Sequence, residues 1–169
     1  MASNGSAPID PGVDIGHVHL KVSDIDRSLD FYCGVLGFEV QDRIGDQAAF
    51  ISAGGYHHHI GLNTWESAGA PPPPRNTTGL YHFAIRYPTR AALADALRRL
   101  AEAGVPIGGA SDHGVSEAIY LSDPDDNGIE LYWDRPREQW PRTPDGGLAM
   151  FTEPLDLRDL LGELEAEPA

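Results

Sequence analysis

The sequence predicts an α+β fold made of two βαβββ units, which pair into one half-open barrel with a helix outside each unit. The runs 15–22 (IGHVHLKV) and 80–87 (LYHFAIRY) each alternate as half-buried strands do, and each has a His at its third position. An amphipathic helical pattern follows each run, so the chain reads as an internal repeat. Neither half has enough sheet to bury its own helix, and pairing of the two sheets solves that problem.

The first unit covers residues 15–65. Its helix, predicted over 25–36, begins after Asp24, whose side chain can accept a hydrogen bond from the first turn. Gly37 ends the helix, as glycine commonly does at this position. The strands predicted for this unit lie at 15–22, 38–44, 47–52 and 57–65.

The second unit, 80–133, follows a linker at 67–79 whose four consecutive prolines exclude a helix interior or a central strand. Its helix is predicted over 90–102, with Thr89 as the cap and Gly104 as the stop. The strands predicted for this unit lie at 80–87, 105–108, 116–122 and 128–133, the last two joined by a turn at 123–128.

The units form a single predicted domain over residues 14–134. Residues 1–13 are small, polar and rich in turn formers, which predicts a loose N-terminal arm. Residues 135–169 are predicted as a tail, a loop followed by a short acidic amphipathic helix around 155–165. With 169 residues and 41% hydrophobic composition, the chain is large enough for one domain with a real core.

Composition narrows the possible partners and compartment. A formal net charge of −14 argues against nucleic acid, whose phosphates require clustered Lys and Arg. No stretch approaches the roughly 18 apolar residues that a membrane span needs. The absence of a signal-peptide pattern and the single cysteine, Cys33, favour a cytoplasmic protein. A single domain with free barrel edges makes a homodimer plausible.

His17 and His82 occupy the same place in the two units, and Glu130 lies in the last strand of the second unit. A lone strand histidine is more often a core or surface residue than a ligand, but two at equivalent positions can meet at one ion. Glu130 falls on the strand face opposite the apolar residues, where a carboxylate is costly unless paired or metal-bound. Two imidazoles and one carboxylate with open positions are typical of non-haem iron sites. The sequence therefore predicts a metal centre at these three residues.

Two motifs resemble the vicinal oxygen chelate superfamily, which includes glyoxalase I, bleomycin and fosfomycin resistance proteins, and extradiol dioxygenases. Residues 17–38 match the pattern H-x-x-L-x-V-x-D-x-x-x-S-x-x-F-Y-x-x-V-L-G-F at every defined position, and 123–131 (DPDDNGIEL) resembles the closing DP-x-G-N-x-x-E pattern. Asp126 stands where that closing pattern usually has Gly. The resemblance covers about 15–134, and it implies the vicinal oxygen chelate fold with Glu130 as a metal ligand.

Features of the first unit distinguish between members of this superfamily. Glyoxalase-type sites take a further Glu from the last strand of the first unit, but 56–65 (YHHHIGLNTW) contains none before Glu66. Extradiol dioxygenases carry a proton-transfer histidine in that strand, and His58 and His59 are the candidates here. The alternation of side chains along this strand does not decide which residues of the triplet that begins at His57 face the metal.

Features of the second unit also resemble the extradiol enzymes. Tyr120 lies ten residues before Glu130, as a tyrosine does in those enzymes, and His113 precedes it in a His-Gly-aliphatic-hydroxyl run. The gap between His113 and Tyr120 is two residues shorter than in the long extradiol enzymes. Taken together, the segments look most like the Bacillus-type catechol 2,3-dioxygenase family, whose members usually contain two such paired modules.

This resemblance implies an enzyme of aromatic catabolism, a dioxygenase that cleaves a catechol-like diol with O₂ at Fe(II), or alternatively Mn(II). It implies that His58 or His59 transfers a proton, and that His113 and Tyr120 hydrogen-bond the reacting oxygens. Two alternatives stay open. A non-oxidative metal enzyme of the glyoxalase, lyase or thiol-transferase type could use the same ligands, with His59 as a fourth. A binding protein of the bleomycin-resistance type would keep the fold without the metal.

Overall fold

The computed structural model describes residues 7–166 and contains two sheets, one from each predicted unit. The first sheet has the order β1-β4-β3-β2, in which β1 is parallel to β4 and the other pairs are antiparallel. Its elements in chain order are β1 (Val18–Lys21), α1 (Ile25–Leu29) with a π-helical continuation (Asp30–Val35), β2 (Glu39–Ile44), β3 (Ala48–Ser52) and β4 (Ile60–Asn63).

The second sheet repeats this arrangement and adds one strand from the tail. Its order is β5-β8-β7-β6-β9, with β5 parallel to β8. Its elements are β5 (Phe83–Arg86), α2 (Arg90–Glu102), β6 (Gly109–Asp112), β7 (Ser116–Ser122), β8 (Gly128–Asp134), a 3₁₀ turn (Arg137–Gln139), β9 (Glu153–Pro154) and α3 (Leu157–Ala166). The α+β class and the repeated βαβββ order are therefore confirmed.

The predicted helix signals are observed. The Asp24 carboxylate accepts from the Arg27 amide at 2.9 Å, and the helical segment that follows ends before Gly37, which has a φ of 88°. The Thr89 hydroxyl caps α2 in the same way, and Gly104 ends it with a φ of 67°.

One predicted strand, at 105–108, is wrong. The Val105 amide donates to the Leu100 carbonyl and the Gly104 amide to the Ala101 carbonyl, so these residues close the end of α2 in a Schellman-type cap. Pro106 has no amide hydrogen for a sheet ladder. The strand therefore begins only at Gly109.

The strands that carry histidines are shorter than predicted. Strand β1 begins at Val18 and β5 at Phe83, so His17 and His82 each lie one residue before a strand. Strand β4 begins only at Ile60, which places the His triplet in the connection from β3 rather than in a strand. That connection turns through two glycines, 54 and 55, both with positive φ.

The two units share one hydrophobic core and are joined by polar contacts. The hydroxyl of Tyr32, a fully buried residue of the first unit, donates to the Asp123 carboxylate at 2.8 Å. Asp125 of the same turn accepts from the Ser23 amide and forms an ion pair with Arg27. Burial and the adjacent Asp123 raise the pKa of Tyr32, so its hydroxyl stays a donor. These contacts fix the first helix against the turn that leads into β8.

The segments before and after the predicted domain differ in part from the predicted N-terminal arm and C-terminal tail. The predicted arm overlaps residues 1–6, which lie outside the described residues, while 7–13 are exposed and contain no helix or strand. The tail is predicted as loop followed by helix, but its loop also supplies β9, which pairs with β6. Along residues 7–166, no helix has both the length and the apolar character that crossing a membrane requires.

Candidate active site

His82 and Glu130 meet where the parallel strands β5 and β8 lie side by side. Phe83 is in register with Ile129, which brings the preceding His82 next to the start of β8. Nε2 of His82 lies 2.9 Å from Oε2 of Glu130. This close approach requires Gly128, because a Cβ there would lie 2.1 Å from the carbonyl oxygen of Tyr81, two residues before β5. An imidazole nitrogen and a carboxylate oxygen are thus placed together by backbone register.

Tyr120 and His113 extend this pair into a chain of four polar side chains. Tyr120 is directly opposite Glu130 in the β7–β8 ladder, and its hydroxyl lies 3.4 Å from Oε1 of Glu130. On its other side the same hydroxyl lies 2.7 Å from Nε2 of His113. Four residues predicted from sequence, His82, Glu130, Tyr120 and His113, are therefore connected in space.

The surroundings of Tyr120 keep its hydroxyl protonated. Burial, followed by the negative charge of Glu130, raises the pKa of Tyr120 to about 12. At neutral pH the phenol consequently carries its proton and can donate to an oxygen or to a nitrogen.

A cavity of about 760 Å³ opens beside this chain of residues. His82 and Tyr120 both line it, together with the turn that precedes β8. Its volume falls within the range of about 300–1,000 Å³ that small-molecule pockets occupy.

His17 and the His triplet form a second group, on the first sheet. The ring of His58 packs against that of His17 with centroids 4.4 Å apart and meets Phe50 edge-on at 5.3 Å. His59 stacks instead on Tyr56 at 4.8 Å. Partial burial, and then the neighbouring His17, lower the pKa of His58, which favours its neutral form. Of the two candidates for proton transfer, His58 is the one beside a predicted ligand.

The structure does not join these two groups. No hydrogen bond or ion pair links His17 to His82 or Glu130, and within residues 7–166 no three His, Cys, Asp or Glu side chains are grouped to hold a metal ion. Two of the three predicted ligands are together, and the third lies at the equivalent position of the other unit.

Sequence reasoning missed two features of these groups. The residue of β4 that corresponds to Glu130 in β8 is Gly61, and the ring of His19 covers it so closely that a Cβ would lie 2.9 Å from the ring. The second feature is the tail, whose residues Phe151 and Thr152 contact Nδ1 of His113. The repeat alignment could have identified Gly61, but no sequence pattern indicates the tail contact.

Comparison with known proteins places these observations in a family. A model of the Glyoxalase/Bleomycin resistance protein/Dioxygenase superfamily matches residues 14–131. The catechol-2,3-dioxygenase of Bacillus subtilis (strain 168) is 48% identical over 149 residues, which are 88% of this chain and 51% of that protein. Biphenyl-2,3-diol 1,2-dioxygenase 2 of Rhodococcus globerulus is 34% identical over 122 residues, 70% of this chain and 61% of that protein. The chain thus spans about half to three fifths of the length of these relatives.

Solved structures support the same fold. A glyoxalase/dioxygenase from Nostoc punctiforme superposes with a TM-score of 0.60 at 21% identity, covering 78% of this chain and 99% of that one. Lactoylglutathione lyase from Agrobacterium tumefaciens gives a TM-score of 0.57 at 22% identity, covering 73% and 96%. At such identities the likeness shows the fold alone, here the vicinal oxygen chelate fold. With the family match over most of its length, the chain belongs to the Glyoxalase/Bleomycin resistance protein/Dioxygenase superfamily.

Proposed function

We propose that this chain carries the site of an extradiol-type ring-cleaving dioxygenase, which acts on a catechol-like aromatic diol with O₂. The observation that supports it best is the connected chain His82–Glu130–Tyr120–His113, which places phenol and imidazole hydrogen-bonding groups beside two metal-binding groups. The relatives named as catechol and biphenyl-diol dioxygenases support the same reaction class.

The proposed metal ligands are His17, His82 and Glu130, with Fe(II) as the ion and Mn(II) as the alternative. The donor set fits such an ion, because one imidazole nitrogen and one carboxylate oxygen already lie 2.9 Å apart. The third proposed ligand, His17, stands at the matching position of the first unit. The bound metal would supply Lewis acidity and a template for the diol and O₂.

The other residues act on protons and on the oxygens of the substrate. His58 lies beside His17, and its lowered pKa favours the neutral form that can accept a proton from the diol. Tyr120, protonated at neutral pH, donates a hydrogen bond to an oxygen that gains negative charge. His113 contacts the Tyr120 hydroxyl and orients it. The aromatic wall formed by Phe50 near His58 gives a planar ring a surface to pack against.

The non-oxidative alternative has less support from the geometry. The position in β4 that matches Glu130 is Gly61, which offers no ligand, and His59 faces Tyr56 rather than His17. A three-ligand set leaves coordination positions for both a diol and O₂, which a set with four protein ligands would restrict.

Oxygen uptake tests the proposal. Anaerobic protein is loaded with Fe(II), or separately with Mn(II), mixed with a panel of catechols and then exposed to air. We expect uptake of one O₂ for each diol consumed and a yellow ring-opened product. The variant His17→Ala should lose activity and bound metal, whereas His19→Ala, two residues along the chain, should keep its metal. Metal-loaded protein that consumes no O₂ with any catechol would contradict the proposal.

A further inference from the structure

His113 lies in a tight loop between β6 and β7 that the tail helps to shape. Gly114 turns this loop with a φ of 75°, and its amide donates to the Asp112 carboxylate at 2.8 Å. A Cβ at Gly114 would lie 2.5 Å from the ring of Phe151 and 2.8 Å from Pro141. The backbone of the loop therefore packs against side chains of the tail, and there is no space for a residue larger than glycine at position 114.

The tail segment, defined here as residues 149–154, also contacts His113 directly. The Phe151 amide donates to the His113 carbonyl at 3.3 Å, and the Phe151 carbonyl oxygen lies 3.1 Å from Nδ1 of the His113 ring. The Thr152 hydroxyl lies 3.2 Å from the same nitrogen. These contacts continue into the β6–β9 ladder, so the segment is held in register along the loop.

Anchors on both sides keep the tail segment in place. On its N-terminal side, the Ala149 amide donates to the Pro141 carbonyl at 3.0 Å. On its C-terminal side, helix α3 buries Leu160 completely and forms ion pairs with Arg90 of α2. The carbonyl that faces His113 is consequently part of a fixed backbone.

A backbone carbonyl can only accept a hydrogen bond, so the contact with Phe151 requires the hydrogen of neutral His113 to sit on Nδ1. The other ring nitrogen, Nε2, is then bare and accepts from the Tyr120 hydroxyl at 2.7 Å. Which nitrogen of a histidine carries the proton is set by the partner of the other nitrogen.

We propose that the tail segment is a positioning element of the active site, in which the Phe151 carbonyl and the Thr152 hydroxyl hold His113 as its Nδ1–H tautomer. Nε2 is thereby directed at the Tyr120 hydroxyl as an acceptor, so the tail sets the resting orientation of the one hydrogen that Tyr120 can turn towards a substrate oxygen. The catalytic consequence rests on the proposed function, but the tautomer does not. The tail, although remote in sequence from every proposed ligand, thus sets the orientation of a group in the site.

Nitrogen-15 NMR of the histidine rings tests this tautomer in the metal-free protein, at a pH where His113 is neutral. His113→Gln assigns the signals. We expect wild-type His113 to show a protonated Nδ1 and an unprotonated Nε2. The double variant Phe151→Ala/Thr152→Ala keeps the Phe151 carbonyl but removes the Thr152 hydroxyl and the Phe151 ring that packs on Gly114. The tail segment should therefore loosen from the loop, and the signals should move towards a mixture of tautomers. The matched control is Leu148→Ala/Met150→Ala, two exposed apolar positions just before the contact, and it should keep the wild-type signals.

Kinetics provide the second measurement. The double variant should lose about tenfold or more in kcat with little change in KM, because substrate binding is retained while the Tyr120 hydroxyl is no longer oriented by His113. An Nε2–H tautomer in the wild type would overturn the proposal. If the double variant fails to fold, the tautomer seen in the wild-type spectrum still tests the proposal. The expected tautomer in a protein that cleaves no catechol would support the positioning element and refute the dioxygenase assignment.

Discussion

Nε2 of His82 lies 2.9 Å from Oε2 of Glu130, although 48 residues separate them in sequence. The parallel pairing of β5 with β8 sets this distance, and Gly128 permits it. Two of the three proposed metal ligands are therefore held together by the sheet itself. The loss of conformational entropy that comes with bringing the two side chains together occurs when the protein folds. That loss therefore does not oppose metal binding.

Glu130→Gln should weaken metal binding by more than the roughly 10- to 100-fold typical of losing a group that only orients a ligand. The substitution keeps the size of the side chain but removes its negative charge. Calorimetric titration of the metal-free protein with Fe(II) or Mn(II) measures the change. The matched control is Glu66→Gln, because the Glu66 side chain is 78% exposed and pairs with Lys21. Equal loss of affinity in both variants would exclude Glu130 as a ligand.

Tyr120→Phe should lower kcat about 100-fold with a small change in KM, since it removes a donor to developing charge while it keeps the ring. Steady-state oxygen uptake at saturating catechol measures the effect. Tyr56→Phe is the control, because the Tyr56 ring stacks on His59 and lies outside the chain of four residues. A kcat like that of wild type would remove Tyr120 from the catalytic residues.

The same variant predicts a pH dependence of stability. The pKa of Tyr120 is raised from 10.0 to about 12, so the group stabilises the folded protein fully below about pH 10. That stability is lost as the pH rises through the folded pKa. The difference in free energy of unfolding between wild type and Tyr120→Phe should therefore fall by about 1 kcal/mol over this window, after allowance for solvent screening. Urea titrations at a series of alkaline pH values measure it, and a constant difference would contradict the prediction.

His58→Gln should reduce kcat by about 10²-fold or more, the usual contribution of a general base, while His59→Gln should have a much smaller effect. The reason is position: His58 packs on His17, whereas His59 stacks on Tyr56 and its Nδ1 accepts from the Ala53 amide. The pH dependence of kcat distinguishes a base from a packing residue, because loss of a base removes the acidic limb of the profile. A larger loss in His59→Gln would reverse the assignment.

Local patterns and the internal repeat are the two features of the sequence that predict structure well. Helix α2 has the bounds that the sequence predicts, because capping by Thr89 and the stop at Gly104 are local chemistry. The relation of His82 to Glu130 is predictable from alternation along two strands and from the equivalence of the units.

Other features depend on contacts between segments that are distant along the chain, and these could not be predicted. Strand β9 forms only because the tail lies beside β6, and its two residues, Glu153 and Pro154, have no strand pattern of their own. The choice between His58 and His59 required the path of the connection between β3 and β4, which glycine turns determine. In both cases tertiary packing decides among alternatives that the local sequence leaves open.

Arg90→Met should destabilise the protein by about 1–3 kcal/mol, because it leaves the Glu117 carboxylate with one cation fewer in a position only 3% exposed. Arg90 bonds Glu117 at 2.7 Å and also holds Asp159 and Glu163 of α3, so the tail should loosen as well. Methionine keeps the apolar stem, which separates the loss of charge from the loss of packing. Thermal unfolding should shift by about 2–4 °C for each kcal/mol. Arg98→Met is the control, since Arg98 pairs with carboxylates on the exposed side of α2 and its loss should shift thermal unfolding much less. Similar shifts in the two variants would show that the cluster at Arg90 does not anchor the tail.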